Sequence, residues 1–219
     1  MKNLLLIPLV LLATLTGSPA CSKDRPFEVQ EQTTPEENGE EEATEDEEVG
    51  NVDGTDGRYL VLYCSRTGNT ERMAKTIQSA LDCDMTVVEP EIPYEGDYNA
   101  MLDRAQAELD AIGQGDYPAI TASVENFDGY DIIFVGYPIW FGHMATPMQT
   151  FLHNHADLLA EKHIALFASS GSSGIGTSER DAATLLPEAS FEKSLLLTSG
   201  SLSSMDTRIS AWLGELGVN

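Results

Sequence analysis

Between Tyr63 and Glu71 the chain reads Cys-Ser-Arg-Thr-Gly-Asn-Thr, three hydroxyl side chains and a glycine set between an apolar strand and a helix. A helix start leaves its first backbone N–H groups unpaired and carries partial positive charge. Ser65, Thr67 and Thr70 add hydroxyl donors there, Arg66 and Asn69 complete the loop, and Gly68 lets a ligand approach the backbone closely. Together these residues make a cradle for a phosphate. The chain contains no G-K-[ST], so a nucleoside-triphosphate loop is not indicated. Ser, Asn and Thr also cap ordinary helices, so the phosphate reading depends on what stands beside this loop.

Two further loops carry chemistry. Gly136-Tyr137-Pro138-Ile139-Trp140-Phe141-Gly142-His143-Met144 offers a flat aromatic wall, with Trp140 as its face assisted by Tyr137. Ser169-Ser170-Gly171-Ser172-Ser173-Gly174-Ile175-Gly176 is a small-residue loop whose backbone amides can reach the polar edge of a ring. Its G-x-x-G-x-G order is not the dinucleotide fingerprint. Ser173 lacks the glycine frame of a nucleophile elbow. His143 is placed either to donate a proton to a reduced ring or to make a passive polar contact. His153 and His155 stand two apart on a helix and face different ways, which argues against a shared metal.

These loops need a scaffold, and the hydrophobic pattern supplies one. Apolar runs predict strands at Tyr59–Tyr63, Met85–Glu89, Asp131–Gly136, His163–Ala168 and Ser194–Leu197. Helical spacing predicts helices at about Asn69–Leu81, up to about Ile112, Thr146–Leu158, Thr177–Leu185 and from Met205 to Leu216. Alternation of this kind implies an α/β fold with a parallel sheet covered on both faces, and ligands at the carboxyl ends of its strands. Cys64 and Cys83, at opposite ends of the first helix, are predicted to be two free, buried thiols.

The first loop resembles the flavodoxin phosphate signature at Val61, Leu62, Tyr63, Ser65, Gly68, Thr70, Ala74 and Ile77. The resemblance runs from Arg58 to Asn219. It implies a doubly wound, five-stranded parallel sheet in three αβα layers, binding FMN. By the same resemblance Ser65, Arg66, Thr67, Gly68, Asn69 and Thr70 hold the phosphate. Tyr137, Pro138, Ile139, Trp140, Phe141 and Gly142, with Ser169, Ser170, Gly171, Ser172 and Gly174, surround the flavin ring. Phe141-Gly142-His143-Met144 is similar to the Phe-Gly-x-Met of related quinone reductases. Three functions follow as expectations: an FMN electron carrier, an NAD(P)H-dependent FMN oxidoreductase acting on a quinone or small acceptor, and a surface lipoprotein that has lost its flavin. A redox partner protein or a small electron acceptor is the implied partner.

The remaining sequence sets the surroundings. Residues 1–20 carry Lys2, an almost wholly apolar Leu4–Leu15 and Gly17-Ser18-Pro19-Ala20 before Cys21, the pattern of a secretory signal. The small residues before Cys21 resemble a bacterial lipoprotein signal, which implies lipidation of Cys21 and an exported protein anchored to a bacterial membrane, on its periplasmic or cell-surface side. Residues 21–57 hold 14 Asp or Glu against Lys23 and Arg25, a composition expected to remain a disordered acidic tether. The whole chain has a formal net charge of −24, which disfavours nucleic-acid binding.

Overall fold

The computed structural model describes residues 58–94 and 96–218. The apolar leader, Cys21 and the acidic stretch up to Gly57 lie outside the described residues.

β1 (Tyr59–Tyr63) is buried at all five positions, as a strand covered on both faces must be. Its side chains divide by parity. Leu60 and Leu62 enter one core, while Tyr59, Val61 and Tyr63 enter the other. Gly68, left-handed at φ 83°, opens α1 (Asn69–Leu81), which buries Met73, Ala74, Ile77 and Leu81. That spacing is one helical stripe, and each fully buried Met or Ile contributes about 2 kcal/mol. Asp82, at φ 45°, ends the helix and turns the chain into β2 (Asp84–Val87), parallel to β1.

α2 (Tyr98–Ile112) starts at Asp97, whose carboxylate accepts the Ala100 N–H at 2.8 Å. β3 (Ile132–Trp140) turns back into a short β4 (His143–Met144), and α3 (Thr146–Asn154) and α4 (Ala156–Leu159) follow. β5 (His163–Ser170), α5 (Gly176–Leu185), β6 (Ser190–Phe191), β7 (Leu195–Thr198), a 3-10 turn and α6 (Met205–Glu215) complete the described chain. The strand order is β2-β1-β3-β5, with β6 and β7 both beside β5. β6 pairs parallel with the start of β5 and β7 with its end. α1 and α6 cover one face of the sheet; α3 and α5 cover the other. This is the expected three-layer arrangement with five parallel strand positions.

Beyond shifts of one or two residues, such as β5 running on to Ser170, the departures from expectation have local reasons. β2 stops at Val87: the Val88 N–H still donates to the Tyr63 carbonyl at 2.7 Å, but beyond it Pro90 pairs with Ile120 instead. β3 does not end at Gly136 but continues to Trp140, held beyond the sheet by its antiparallel pairing with β4. The helix expected over Thr146–Leu158 breaks at His155, whose ring stacks on Phe151 at 4.1 Å while Nδ1 lies 2.8 Å from the Phe151 carbonyl. The last sheet position is split, with β6 and β7 separated at residues 192–194.

Among the described residues Cys64 and Cys83 are free as expected, but only Cys64 is buried; Cys83 is half-exposed. Burial pushes the Cys64 thiol up to about 12. Burial, aided by the Asp84 carboxylate, pushes Cys83 up to about 11. Since the thiolate is the nucleophile, alkylation at pH 8 should be slow at Cys83, accelerate toward pH 11, and be undetectable at Cys64 until denaturant is added. Peptide mass spectrometry checks this; rapid native labelling of Cys64 would contradict the packing.

Candidate functional site

β1 is flanked by β2 on one side and β3 on the other, so the crossovers diverge and leave an opening at the carboxyl ends of β1 and β3. The predicted phosphate loop leaves β1 at this point. The Cys64 N–H donates to the Gly136 carbonyl at 3.0 Å and prolongs the β1–β3 pairing by one residue. Ser65 and Arg66 then turn away half-buried, and Thr67 is exposed. Arg66 reaches toward the start of α2, with Nη2 3.4 Å from the Gly96 carbonyl.

No side chain caps α1. A Cβ on Gly68 would meet no atom within 4 Å, so the mouth of the helix is open and its early amides stand available to an anion. Thr70 behaves otherwise. It is only 1 % exposed, and its Oγ1 lies 2.8 Å from Ser169 Oγ at the end of β5. That hydroxyl pair ties the phosphate loop to the strand that carries the third loop. Asn69 is half-buried beside it.

Trp140, Pro138, Ser65, Arg66 and Cys64 border one cavity of about 310 Å³. Two of the three predicted loops therefore meet. The third does not line this cavity; Ser170 ends β5, and Gly171, Ser172 and Gly174 are exposed beyond it, joined to the site through Ser169 and Thr70. Tyr137 is not part of the wall. Its ring is fully buried under the sheet and its hydroxyl donates to Ser178 Oγ at 3.2 Å, so burial drives its phenol upward. The reason is parity: with β3 running to Trp140, Tyr137 and Ile139 both point into the core.

The aromatic beside Trp140 is Tyr94, with ring centroids 5.0 Å apart and planes nearly perpendicular. A polar network fixes it. The Tyr94 hydroxyl donates to the Glu108 carboxylate and lies 2.8 Å from Thr146 Oγ1. Arg104 Nε donates to the other Glu108 oxygen at 2.7 Å, Nη1 donates to the Ile92 carbonyl at 2.8 Å, and the guanidinium sits 4.2 Å above the Tyr94 ring. Burial first, and then the hydrogen bond to Glu108, raise the Tyr94 phenol, which stays protonated. Arg104 and Glu108 escape the sequence reading, because an i,i+4 pair on a helix gives no local link to Tyr94 or Thr146.

Phe141 and Gly142 form the tip of the β3–β4 hairpin, both at positive φ (51° and 88°). His143 Nδ1 lies 3.1 Å from each Asp181 carboxylate oxygen, a partner the sequence did not reveal. His153 and His155 diverge, the first stacked on Tyr117 at 3.7 Å and the second buried against Phe151. Among the described residues no cluster of metal-ligating side chains occurs, and no helix is long and apolar enough to cross a membrane.

Taken together, the first residues of the loop that leads into the open helix mouth, Ser65 and Arg66, line one cavity with the aromatic wall of Trp140 and Tyr94. That arrangement can hold a flat ring through a phosphate tail. The flavodoxin family model matches residues 58–216 of this sequence. The chain belongs to the flavodoxin family. Among solved structures, this flavodoxin-family chain is 31 % identical to a protein of Bacteroides eggerthii assigned to the flavoproteins, with a TM-score of 0.62 over 75 % of this chain and 100 % of that one. It shares the fold of a flavoprotein from Lactobacillus acidophilus solved in complex with FMN, at 24 % identity and a TM-score of 0.56, over 68 % of this chain and 98 % of that one. An NAD(P)H dehydrogenase (quinone) of Paracoccus denitrificans is 34 % identical over 119 residues, 52 % of this chain and 54 % of that protein. The chain thus spans about half the length of the curated relatives it matches.

Proposed function

We propose that this protein binds FMN at the carboxyl ends of β1 and β3 and serves as a redox protein. The observation that carries the reading is the uncapped start of α1 with open space at Gly68, reached by a loop whose Ser65 and Arg66 share one cavity with Trp140. These residues fit the cofactor. Neutral hydroxyls and amides suit a phosphate, and an aromatic face with a proline beside it suits a planar ring. FMN, when bound, supplies one- and two-electron chemistry. The protein's part is to grip the phosphate at residues 65–70, to set the ring against Trp140 and to keep Tyr94 in place through Glu108 and Arg104.

Within that frame two roles differ. An electron carrier needs only an exposed ring edge and a partner protein. The second role is reduction of a quinone or other small acceptor at the expense of NAD(P)H, and the 34 % identity to NAD(P)H dehydrogenase (quinone) of Paracoccus denitrificans favours it. We further propose that Cys21 is lipidated and holds the protein at a bacterial membrane, a reading that stands on the sequence pattern alone.

Titrating the protein with FMN and with riboflavin, while following flavin fluorescence, tests the first proposal. FMN is expected to bind at least about tenfold more tightly, the share of charge-assisted hydrogen bonds to the phosphate. Equal affinity for the two would remove the phosphate cradle. Steady NAD(P)H oxidation in the presence of a quinone would then separate the enzyme from the carrier.

A further inference from the structure

The hairpin that carries Trp140 builds a second hollow on its other side, of about 360 Å³, between the tip and the C-terminal half of α2. Two features mark it as made for a ligand. Phe141 is a bulky side chain in a left-handed conformation, where the preferred residue of such a two-residue turn is Asn. It is also 50 % exposed. A strained, half-exposed aromatic is retained at the rim where a small polar residue would sit more comfortably.

The second feature is the direction of the hydrogen bonds. The Asp181 carboxylate can only accept, and it also receives the Met144 N–H at 3.0 Å, so His143 donates its Nδ1 proton there and Nε2 remains for the hollow. Gln149 gives one of its two amide N–H groups to the Met144 carbonyl at 2.6 Å, which leaves its carbonyl oxygen and the other N–H. The Asp110 carboxylate, which accepts a hydrogen bond from the Gln106 amide at 3.0 Å, adds further acceptors. Leu109 and Ile112 supply the apolar floor. Acceptors therefore outnumber the remaining amide donors in this hollow, next to an aromatic ring.

We infer that the hollow binds a hydroxyaromatic compound of the phenol or quinol class, its ring against Phe141 and its hydroxyl donating to His143 Nε2. As a binding site this stands on the geometry alone; as the place where a reduced aromatic product rests, it rests on the acceptor-reduction reading above. A quinone, which has no O–H, matches the acceptors less well than its reduced form, so product and substrate are told apart by hydrogen-bond direction.

Binding to the full-length protein without NAD(P)H tests it, using 2-naphthol and its methyl ether 2-methoxynaphthalene, with calorimetry for affinity and NMR for the His143 ring. The naphthol is expected to bind at least about tenfold more tightly than the ether, since only the naphthol has an O–H to donate to His143 Nε2. Phe141→Asn relieves the strained turn, so its Tm is expected to rise by about 2 °C while naphthol binding falls about tenfold; that pairing excludes unfolding as the cause. His143→Gln is expected to abolish the preference over the ether. Equal affinity for the two probes, or unchanged naphthol binding in Phe141→Asn, overturns the site. NAD(P)H-dependent turnover that survives those results would leave the enzymatic reading intact, and naphthol binding without turnover would remove that reading while keeping the site.

Discussion

Trp140→Ala is expected to weaken FMN binding by about 30- to 100-fold, equivalent to about 2–3 kcal/mol for a buried aromatic anchor. Riboflavin should weaken by the same factor, because the loss falls on the ring and not on the phosphate. Trp140 borders the cavity together with Ser65, Arg66 and Pro138, and Tyr94 holds its edge at 5.0 Å. Thr70→Val provides the contrast. It keeps the shape but breaks the 2.8 Å contact with Ser169, so FMN binding should fall about tenfold while riboflavin binding is nearly unchanged. The other tryptophan, Trp212, packs against Phe134 at 5.6 Å in the core beneath α6 and reports folding in the same samples. Fluorescence titrations of both flavins measure the effect; wild-type FMN affinity in Trp140→Ala would place the ring elsewhere.

Gly136→Ala is expected to be the most damaging single-methyl change in the described fold. Gly136 pairs with Phe167 across β3 and β5, and a Cβ there would stand 2.1 Å from Phe167 Cζ. The Phe167 ring lies over the glycine and leans on Trp212 at 6.4 Å, fully buried, so it has nowhere to retreat. Overpacking of this kind costs about 3 kcal/mol, or about 6–12 °C in Tm for a domain of this size. The partner substitution gives the test its sharpness. Phe167→Leu alone leaves a void and is also destabilising, yet it removes the atoms that the new methyl strikes. The double variant should therefore be more stable than the sum of the two single changes predicts, by about 1 kcal/mol or more in a denaturant-melt cycle. Strict additivity would mean that the two residues do not compete for the same space.

The sequence disclosed the elements whose physics is local. β1 and α1 stand where the apolar run and the Met73, Ala74, Ile77, Leu81 stripe place them, and the parallel sheet followed from the alternation of strands and helices. What it hid depended on partners far along the chain. The apolar run ended at Gly136, and the stretch from there to Met144 read as a loop. In the fold the Pro138 carbonyl accepts the Ala145 N–H at 3.2 Å and the strand continues into a hairpin. That extension reversed the assignment of the aromatics, turning Tyr137 inward and making Tyr94 the neighbour of Trp140. The apolar pattern over α3 and α4 gave no sign that His155 would fold back on Phe151 and break the helix. Nor could spacing reveal that the third loop reaches the first through one pair of hydroxyls.

The division of the outer strand into β6 and β7 has a consequence for how copies of the molecule behave when crowded. On one border a visiting chain would find two hydrogen-bonding residues, a gap and then four more; on the other, the four residues of β2. Neither rim presents an uninterrupted row long enough to template another strand. Ribbon-like growth through the native fold is thereby blocked, and aggregation has to begin from molecules that have first lost their borders.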